Sequence, residues 1–112
     1  MFKSCGQLWS FFHSFRSGKV DLEAFRHRQH LSVALCYAAV LPVGEAVSAF
    51  REDLLSNLCP LGLESKYSET ITRFWIELAA HYLAQHGAER CLADVANAFA
   101  ERFGDKGAIA QH

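Results

Sequence analysis

The 112-residue sequence lacks an excess of charge of either sign. It has 11 Lys and Arg against 12 Asp and Glu, which gives a formal net charge of −1 with His neutral. The two signs are interspersed along the chain. Proteins that bind nucleic acid or anionic membranes carry clustered basic residues, because phosphates attract them. We therefore expect neither nucleic acid nor a membrane as a partner.

The sequence also lacks an apolar run of the kind that spans a membrane or forms a signal peptide. Its main apolar run, 31–41, is too short to span a bilayer. The N-terminal stretch is apolar, but His13 and Arg16 interrupt it and no cleavage site of small residues follows, so it makes a poor signal peptide. We expect a cytoplasmic protein.

Paired cysteine motifs are missing as well. The four cysteines, Cys5, Cys36, Cys59 and Cys91, lie far apart, and no two have the C-x-x-C spacing of a zinc knuckle or redox motif. Cys36 and Cys91 fall within helical apolar patterns, so we predict that they pack as small hydrophobic residues. In a reducing cytoplasm all four thiols are expected to be free.

What the sequence does contain is helical periodicity. Half of the residues are apolar, and no stretch alternates apolar and polar residues between turn signals, as a strand would. The length suits one domain with one core. We predict an all-α fold, a single five-helix bundle over residues 1–104 with a central second helix, followed by a flexible C-terminal tail over residues 105–112.

The helices are separated by glycine, proline and serine. Asp21 and Ser68 are predicted N-caps of the second and fourth helices, and Val43-Gly44 is a predicted tight connection after Pro42. The second helix is apolar on all faces from Leu31 onward, which is typical of a helix surrounded by others. In chain order, the predicted helical segments are Cys5 to Phe15, Asp21 to Leu41, Ala46 to Leu58, Ser68 to His86, and Leu92 to Phe103.

Apolar spacing also predicts which faces form the core. The third helix should bury Ala46, Val47, Phe50, Leu54 and Leu58 and expose Glu45, Glu52 and Asn57. The fourth helix should bury Ile71, Phe74, Trp75, Leu78 and Tyr82.

The most informative feature is a polar stripe on the second helix. Glu23, His27, His30, Ala34 and Tyr37 fall within roughly 80° of one another around the helix axis. Titratable side chains on an otherwise apolar helix must be hydrogen-bonded, bound to a ligand, or solvated through a pocket. The stripe therefore marks the candidate site.

Two segments resemble a widespread family of small uncharacterised bacterial helical proteins. Residues 25–31, FRHRQHL, are similar to its W-T-H-x-x-H-L motif, and residues 66–72, KYSETIT, to its G-Y-H-E-T-I-T motif. The resemblance implies a helical fold in which three histidines and a glutamate from two helices form a metal or acid/base site. This chain keeps His27, His30 and Glu69 but has Ser68 in place of the third histidine, so the resemblance implies an altered site.

Three functions compete. In the first, Glu23, His27, His30 and Glu69 bind a divalent metal such as zinc, manganese or iron, because imidazole and carboxylate ligands suit these ions. In the second, a metal-free pocket binds a small molecule, with a histidine as general base. Its candidate ligand-binding residues are Tyr37, Tyr67 and Thr70.

In the third function, the chain is a non-catalytic interaction or scaffold module. Glu23 and His27 are then an i, i+4 surface pair, and the apolar excess covers an interface with a protein partner. A homodimer is the simplest closed assembly. The sequence does not choose between an enzyme and a binding module.

Overall fold

The computed structural model describes residues 2–19, 27–62, 65, 67–87 and 91–103, with the side chains of 27 and 28 left out of the description. No strand occurs in these ranges, and none of their helices is long and apolar enough to cross a membrane. The predicted all-α, five-helix class is confirmed. The helices are α1 (Cys5–Arg16), α2 (His27–Val40), α3 (Val43–Leu58), α4 (Glu69–His86) and α5 (Leu92–Phe103), with a short 3₁₀ helix (Cys59–Leu61) between α3 and α4.

Helix α2 is the centre of the fold, as predicted. Every residue from Leu31 to Tyr37 is buried, including the polar Ser32, and α2 packs against each of the other four helices. A helix that is covered on all sides needs apolar residues on all faces, which is the pattern of this segment.

The predicted cap of α4 is confirmed. The Ser68 hydroxyl accepts a hydrogen bond from the backbone N–H of Ile71 at 3.3 Å, which satisfies one of the free N–H groups of the first turn. Ser4 caps α1 in the same way through the N–H of Gln7 at 3.2 Å. The predicted cap Asp21 and the tail 105–112 lie outside the described residues.

The predicted connection at Val43-Gly44 is wrong. Both residues belong to α3, which starts directly after Pro42. Pro42 has φ −58° and ψ 153°, an extended conformation that ends α2 and lets α3 begin at the next residue. The connection between α2 and α3 therefore consists of Leu41 and Pro42.

The predicted faces of α3 are right except at Asn57. Asn57 was expected on the exposed face, but it is buried. Its amide donates to the backbone carbonyls of Phe15 at 3.0 Å and of Asp53 at 2.9 Å. The bond to Phe15 joins α3 to the last turn of α1, which explains why a polar side chain is tolerated there.

The predicted face of α4 is rotated from the observed one. Ile71 was expected in the core but is 47% exposed, and Phe74 and Leu78 are only half-buried. The buried face consists of Thr72, Trp75, Ile76, Ala79 and Tyr82.

The two cysteines predicted in the core differ. Cys36 is fully buried, and burial raises the pKa of its thiol to about 12, so it is unreactive. Cys91 is exposed and immediately precedes α5, so its predicted packing as a core residue is wrong.

Candidate functional site

A cavity of about 210 Å³ lies between α2, α3 and α4, at the place where the sequence predicted a site. Its described polar lining consists of His30, Tyr67, Ser68 and Thr72. Its described apolar lining consists of Leu31, Ala34, Phe50, Leu54, Ile71 and Trp75.

Helical spacing brings these side chains to one place. His30 and Ala34 are one turn apart on α2, so they share a face, and Thr72 follows the α4 cap Ser68 by one turn. Phe50 and Leu54 do the same on α3. Each helix therefore contributes one short stripe to the cavity wall.

The hydroxyl of Tyr67 is the unusual group at this cavity. Its oxygen is buried and has no hydrogen-bond partner among the described residues. Burial raises the pKa of the Tyr67 hydroxyl, and the Thr72 side chain lies near enough to lower it in part, but not in the geometry of a hydrogen bond. Buried polar groups almost always have a hydrogen-bond partner. A ligand that carries a hydrogen-bonding group could supply the partner for Tyr67.

The described lining carries no carboxylate, lysine or arginine. Glu69, which was a predicted metal ligand, does not line the cavity. Its carboxylate pairs with the guanidinium of Arg51 at 2.5 Å, and both side chains are more than two-fifths exposed. Arg51 therefore neutralises Glu69 at the surface of the protein.

The structure brings together two of the predicted site residues, His30 and Tyr67. Thr70 is exposed and is not part of the described cavity lining. Glu23 and the side chain of His27 lie outside the described residues. Among the described residues, no group of three or more His, Cys, Asp and Glu side chains could hold a metal ion, and the metal site stays a prediction.

Tyr37 belongs to a different cluster. Its hydroxyl donates to the carboxylate of Asp53, and Arg16 Nε donates to the same carboxylate oxygen at 3.0 Å. Burial first, and then the bond to Asp53, raise the pKa of Tyr37. The Arg16 guanidinium also lies over the rings of Phe12 and Tyr37, at 5.9 and 5.6 Å from their centroids.

Sequence reasoning missed several of these residues. The Tyr37 partners Arg16 and Asp53 are distant in sequence from Tyr37, and no local spacing connects the three. For the cavity, a signal was present: Thr72 follows the recognised cap Ser68 by one helical turn. That spacing places a second hydroxyl on the face that carries the cap.

No family model, no curated protein and no solved structure matches this chain. The resemblance of residues 25–31 and 66–72 to a family of small helical proteins therefore stays a prediction.

Proposed function

We propose that this chain binds a small uncharged molecule, with an apolar body and one hydrogen-bonding group, in the cavity between α2, α3 and α4. The observation that carries the proposal is the Tyr67 hydroxyl, which is buried at the cavity and has no hydrogen-bond partner in the part of the chain that the structure describes. An unsatisfied buried hydroxyl costs about 1–3 kcal/mol, and a ligand that bonds to it recovers much of this cost.

The size of the cavity limits the ligand. An apolar protein cavity of about 150 Å³ holds one benzene molecule, so about 210 Å³ suits a single ring with a short substituent. The rings of Phe50 and Trp75 offer apolar contact surface to such a ring. Because the described lining carries no lysine, arginine or carboxylate, phenols, alcohols and ketones fit better than carboxylates or amines.

His30 gives the ligand a second polar contact. Its imidazole lines the cavity near the start of α2, and an imidazole both donates and accepts hydrogen bonds when neutral. Tyr67 and His30 come from different elements, so a ligand that touches both is fixed in orientation. This arrangement supports binding without assigning a reaction.

Trp75 makes the test direct, because its indole lines the cavity. In a Trp9→Phe background, Trp75 is the single tryptophan. Titration with 4-methylphenol should change its fluorescence saturably, with a Kd of about 0.1–1 mM for so small a probe. Tyr67→Phe in the same background should weaken binding about tenfold, because it removes the hydroxyl and keeps the ring.

Replacing two different alanines of α2 by leucine provides the matched control. Ala34→Leu places a larger side chain in the cavity and should abolish the fluorescence change. Ala39→Leu makes the same change at an exposed position on the same helix and should leave binding intact. Equal binding by both variants, or no saturation in the parent, would contradict the proposal.

Metal analysis distinguishes an uncharged ligand from a metal ion at this site. Protein purified without a His-tag should contain no stoichiometric zinc, manganese or iron if the cavity takes an uncharged molecule. Stoichiometric metal that is lost in His30→Ala would instead support the predicted metal site of Glu23, His27, His30 and Glu69.

We also propose, as a separate point, that the protein is a cytoplasmic homodimer. Among the described residues, four large apolar side chains are exposed, namely Trp9, Val40, Leu61 and Ile71, and Ile71 lines the cavity. Sedimentation equilibrium should show a dimer that Ile71→Glu weakens and that the neighbouring exposed Thr70→Glu does not. A monomer at tens of micromolar would contradict this proposal.

A further inference from the structure

A second cavity, of about 220 Å³, lies between the C-terminal half of α4 and the end of α5. Its described lining shares no residue with that of the first cavity, between α2, α3 and α4. The lining includes two aromatic rings and four hydrogen-bonding side chains, namely Tyr82 and Phe103 with His81, Gln85, His86 and Arg102. A ligand that has both a ring and a polar group therefore finds a surface for each.

Helical spacing places the α4 side chains on one face. His81 and Gln85 are one turn apart, and so are Tyr82 and His86, which makes two neighbouring columns. The ring centroids of Tyr82 and His86 lie 4.4 Å apart. The Phe103 ring of α5 lies 6.3 Å from Tyr82 in edge-to-face geometry. A flat ligand ring thus has aromatic contact surface on both helices.

Arg102 supplies a charge for which the described residues provide no ion pair. The other arginines whose side chains are described, Arg16, Arg51 and Arg73, each lie within 4.0 Å of a carboxylate. The Arg102 guanidinium instead lies 5.3 Å from the centroid of the Phe103 ring. A guanidinium stays charged and binds a carboxylate through two parallel hydrogen bonds. The second cavity therefore has a fixed positive charge beside its aromatic surface.

The described lining contains no carboxylate that would compete for this charge. Glu77 and Glu101 adjoin lining residues in sequence, but neither of them lines the cavity. The Glu77 carboxylate lies 4.0 Å from the guanidinium of Arg73, one turn back along α4. A single permanent positive charge suits a ligand with a single negative charge.

A hydrogen bond within α4 determines which nitrogen of His81 donates. The Nε2 atoms of His81 and Gln85 lie 3.1 Å apart. An amide nitrogen only donates hydrogen bonds, so His81 Nε2 accepts and its Nδ1 carries the proton. His81 accordingly offers an N–H group to an anion in the cavity, in addition to the guanidinium of Arg102.

We propose that the second cavity binds a small aromatic carboxylate, which pairs with Arg102 and packs its ring on Tyr82 and Phe103. The volume supports this class of ligand, because a cavity of about 150 Å³ holds one benzene molecule and about 220 Å³ holds a ring with a carboxylate. The ligand differs in charge from the uncharged molecule proposed for the first cavity, and its binding does not depend on that proposal.

Benzoate is the probe, and heteronuclear NMR spectra of nitrogen-labelled protein show where it binds. The Nε–H signal of Arg102 and the backbone amide signals of 81–86 should shift saturably, with a Kd of about 1 mM for so small a ligand. Benzamide keeps the ring without the charge, and acetate keeps the charge without the ring. Each should bind about tenfold more weakly than benzoate.

Arginine substitutions provide the matched control. Arg102→Gln removes the charge but keeps a hydrogen-bonding side chain, and it should raise the Kd for benzoate about tenfold. Arg73→Gln removes a charge from an exposed position of α4 outside the described lining and should leave the Kd unchanged. Arg102→Lys keeps the charge without the planar pair of donors, so its Kd should be intermediate.

Four results would overturn the proposal. Equal weakening by Arg102→Gln and Arg73→Gln would mean that benzoate responds only to the overall charge of the protein. Acetate that binds as tightly as benzoate would mean that the rings contribute nothing. Shifts confined to residues of the first cavity would place benzoate there, and the absence of a saturable shift at Arg102 would exclude the site.

Discussion

Two tyrosines, Tyr37 and Tyr67, lie in two parts of the same core and differ in what their hydroxyls contact. Tyr37 is fully buried and donates to Asp53, which also accepts from Arg16. Tyr67 is half-buried, and its hydroxyl oxygen is buried without a partner among the described residues. The first hydroxyl is saturated by the fold, whereas the second is the group that the proposed ligand would bind.

Side-chain volume explains why one region is filled and the other is not. Around Tyr37, large rings fill the space. The ring centroids of Phe12 and Phe50 lie 4.8 Å and 5.3 Å from the ring centroid of Tyr37, both in edge-to-face geometry. At the cavity, the side chains are small: Ala34 on α2, and the cap Ser68 and Thr72 at the start of α4. Small side chains on facing helices leave a gap, because helix axes approach only as closely as their largest contacts allow.

The largest expected effect comes from emptying the filled region. Tyr37→Ala removes a fully buried ring and leaves Asp53 and Arg16 without their aromatic neighbour, so the free energy of unfolding should fall by about 3–5 kcal/mol. Tyr67→Ala should cost less than half as much, because Tyr67 borders a cavity already present. Urea denaturation with matched m-values measures both changes. Equal costs would remove the distinction between the two regions.

A smaller effect separates the hydroxyls themselves. Tyr37→Phe removes one of the two described donors to the Asp53 carboxylate, leaving Arg16, and should destabilise the fold by about 1–3 kcal/mol. Tyr67→Phe deletes a buried hydroxyl for which the described residues supply no partner, and it should leave stability unchanged or slightly raised in ligand-free protein. The two variants differ only in position, so each is the other's control. Destabilisation by Tyr67→Phe would show that its hydroxyl has a partner in solution.

High pH should weaken the filled region. The pKa of Tyr37 is raised in the folded protein, whereas an unfolded tyrosine has a pKa of about 10. Unfolding therefore releases a proton above pH 10, so stability is fully present below that pH and falls as the pH rises, by at most about 1.4 kcal/mol per pH unit for this group. Urea unfolding from pH 9 to pH 11 should show a shallower decline in Tyr37→Phe than in the parent.

The smallest effect concerns the cap beside the cavity. Ser68→Ala removes the bond to the N–H of Ile71 and should cost about 1 kcal/mol, whereas Ser68→Gly should cost only a few tenths, because water then reaches the free N–H. Thermal unfolding distinguishes the two variants. A larger loss in Ser68→Gly than in Ser68→Ala would mean that Ser68 acts by filling space at the cavity instead of by capping.

Local signals predicted the helices and their order. Ser68 is a cap because serine before a first-turn acid is a local pattern, and α2 is central because its apolar residues cover every face. Features that depend on distant partners were not predictable in this way. The sequence pattern predicts that Asn57 is exposed. Its burial depends on the carbonyl of Phe15, on another helix, which accepts a hydrogen bond from its amide.

The candidate site was predicted in part for the same reason. His30 and Tyr67 fall where the polar stripe and the second motif placed them, and they share a cavity. The pairing of Glu69 with Arg51 depends on how α3 packs beside α4. The exposure of Ile71 follows from the same packing, which turns Thr72 and Ile76 toward the core.

The central position of α2 also determines how cooperatively the protein unfolds. Since α1, α3, α4 and α5 all pack against α2, no smaller set of helices keeps a covered core once α2 is released. Its amide hydrogens between Leu35 and Val40, which bond within the helix, should exchange with deuterium only through global unfolding. Amides in the outer turns of α1 and α5 should exchange through local opening, and the release of α2 should coincide with global unfolding.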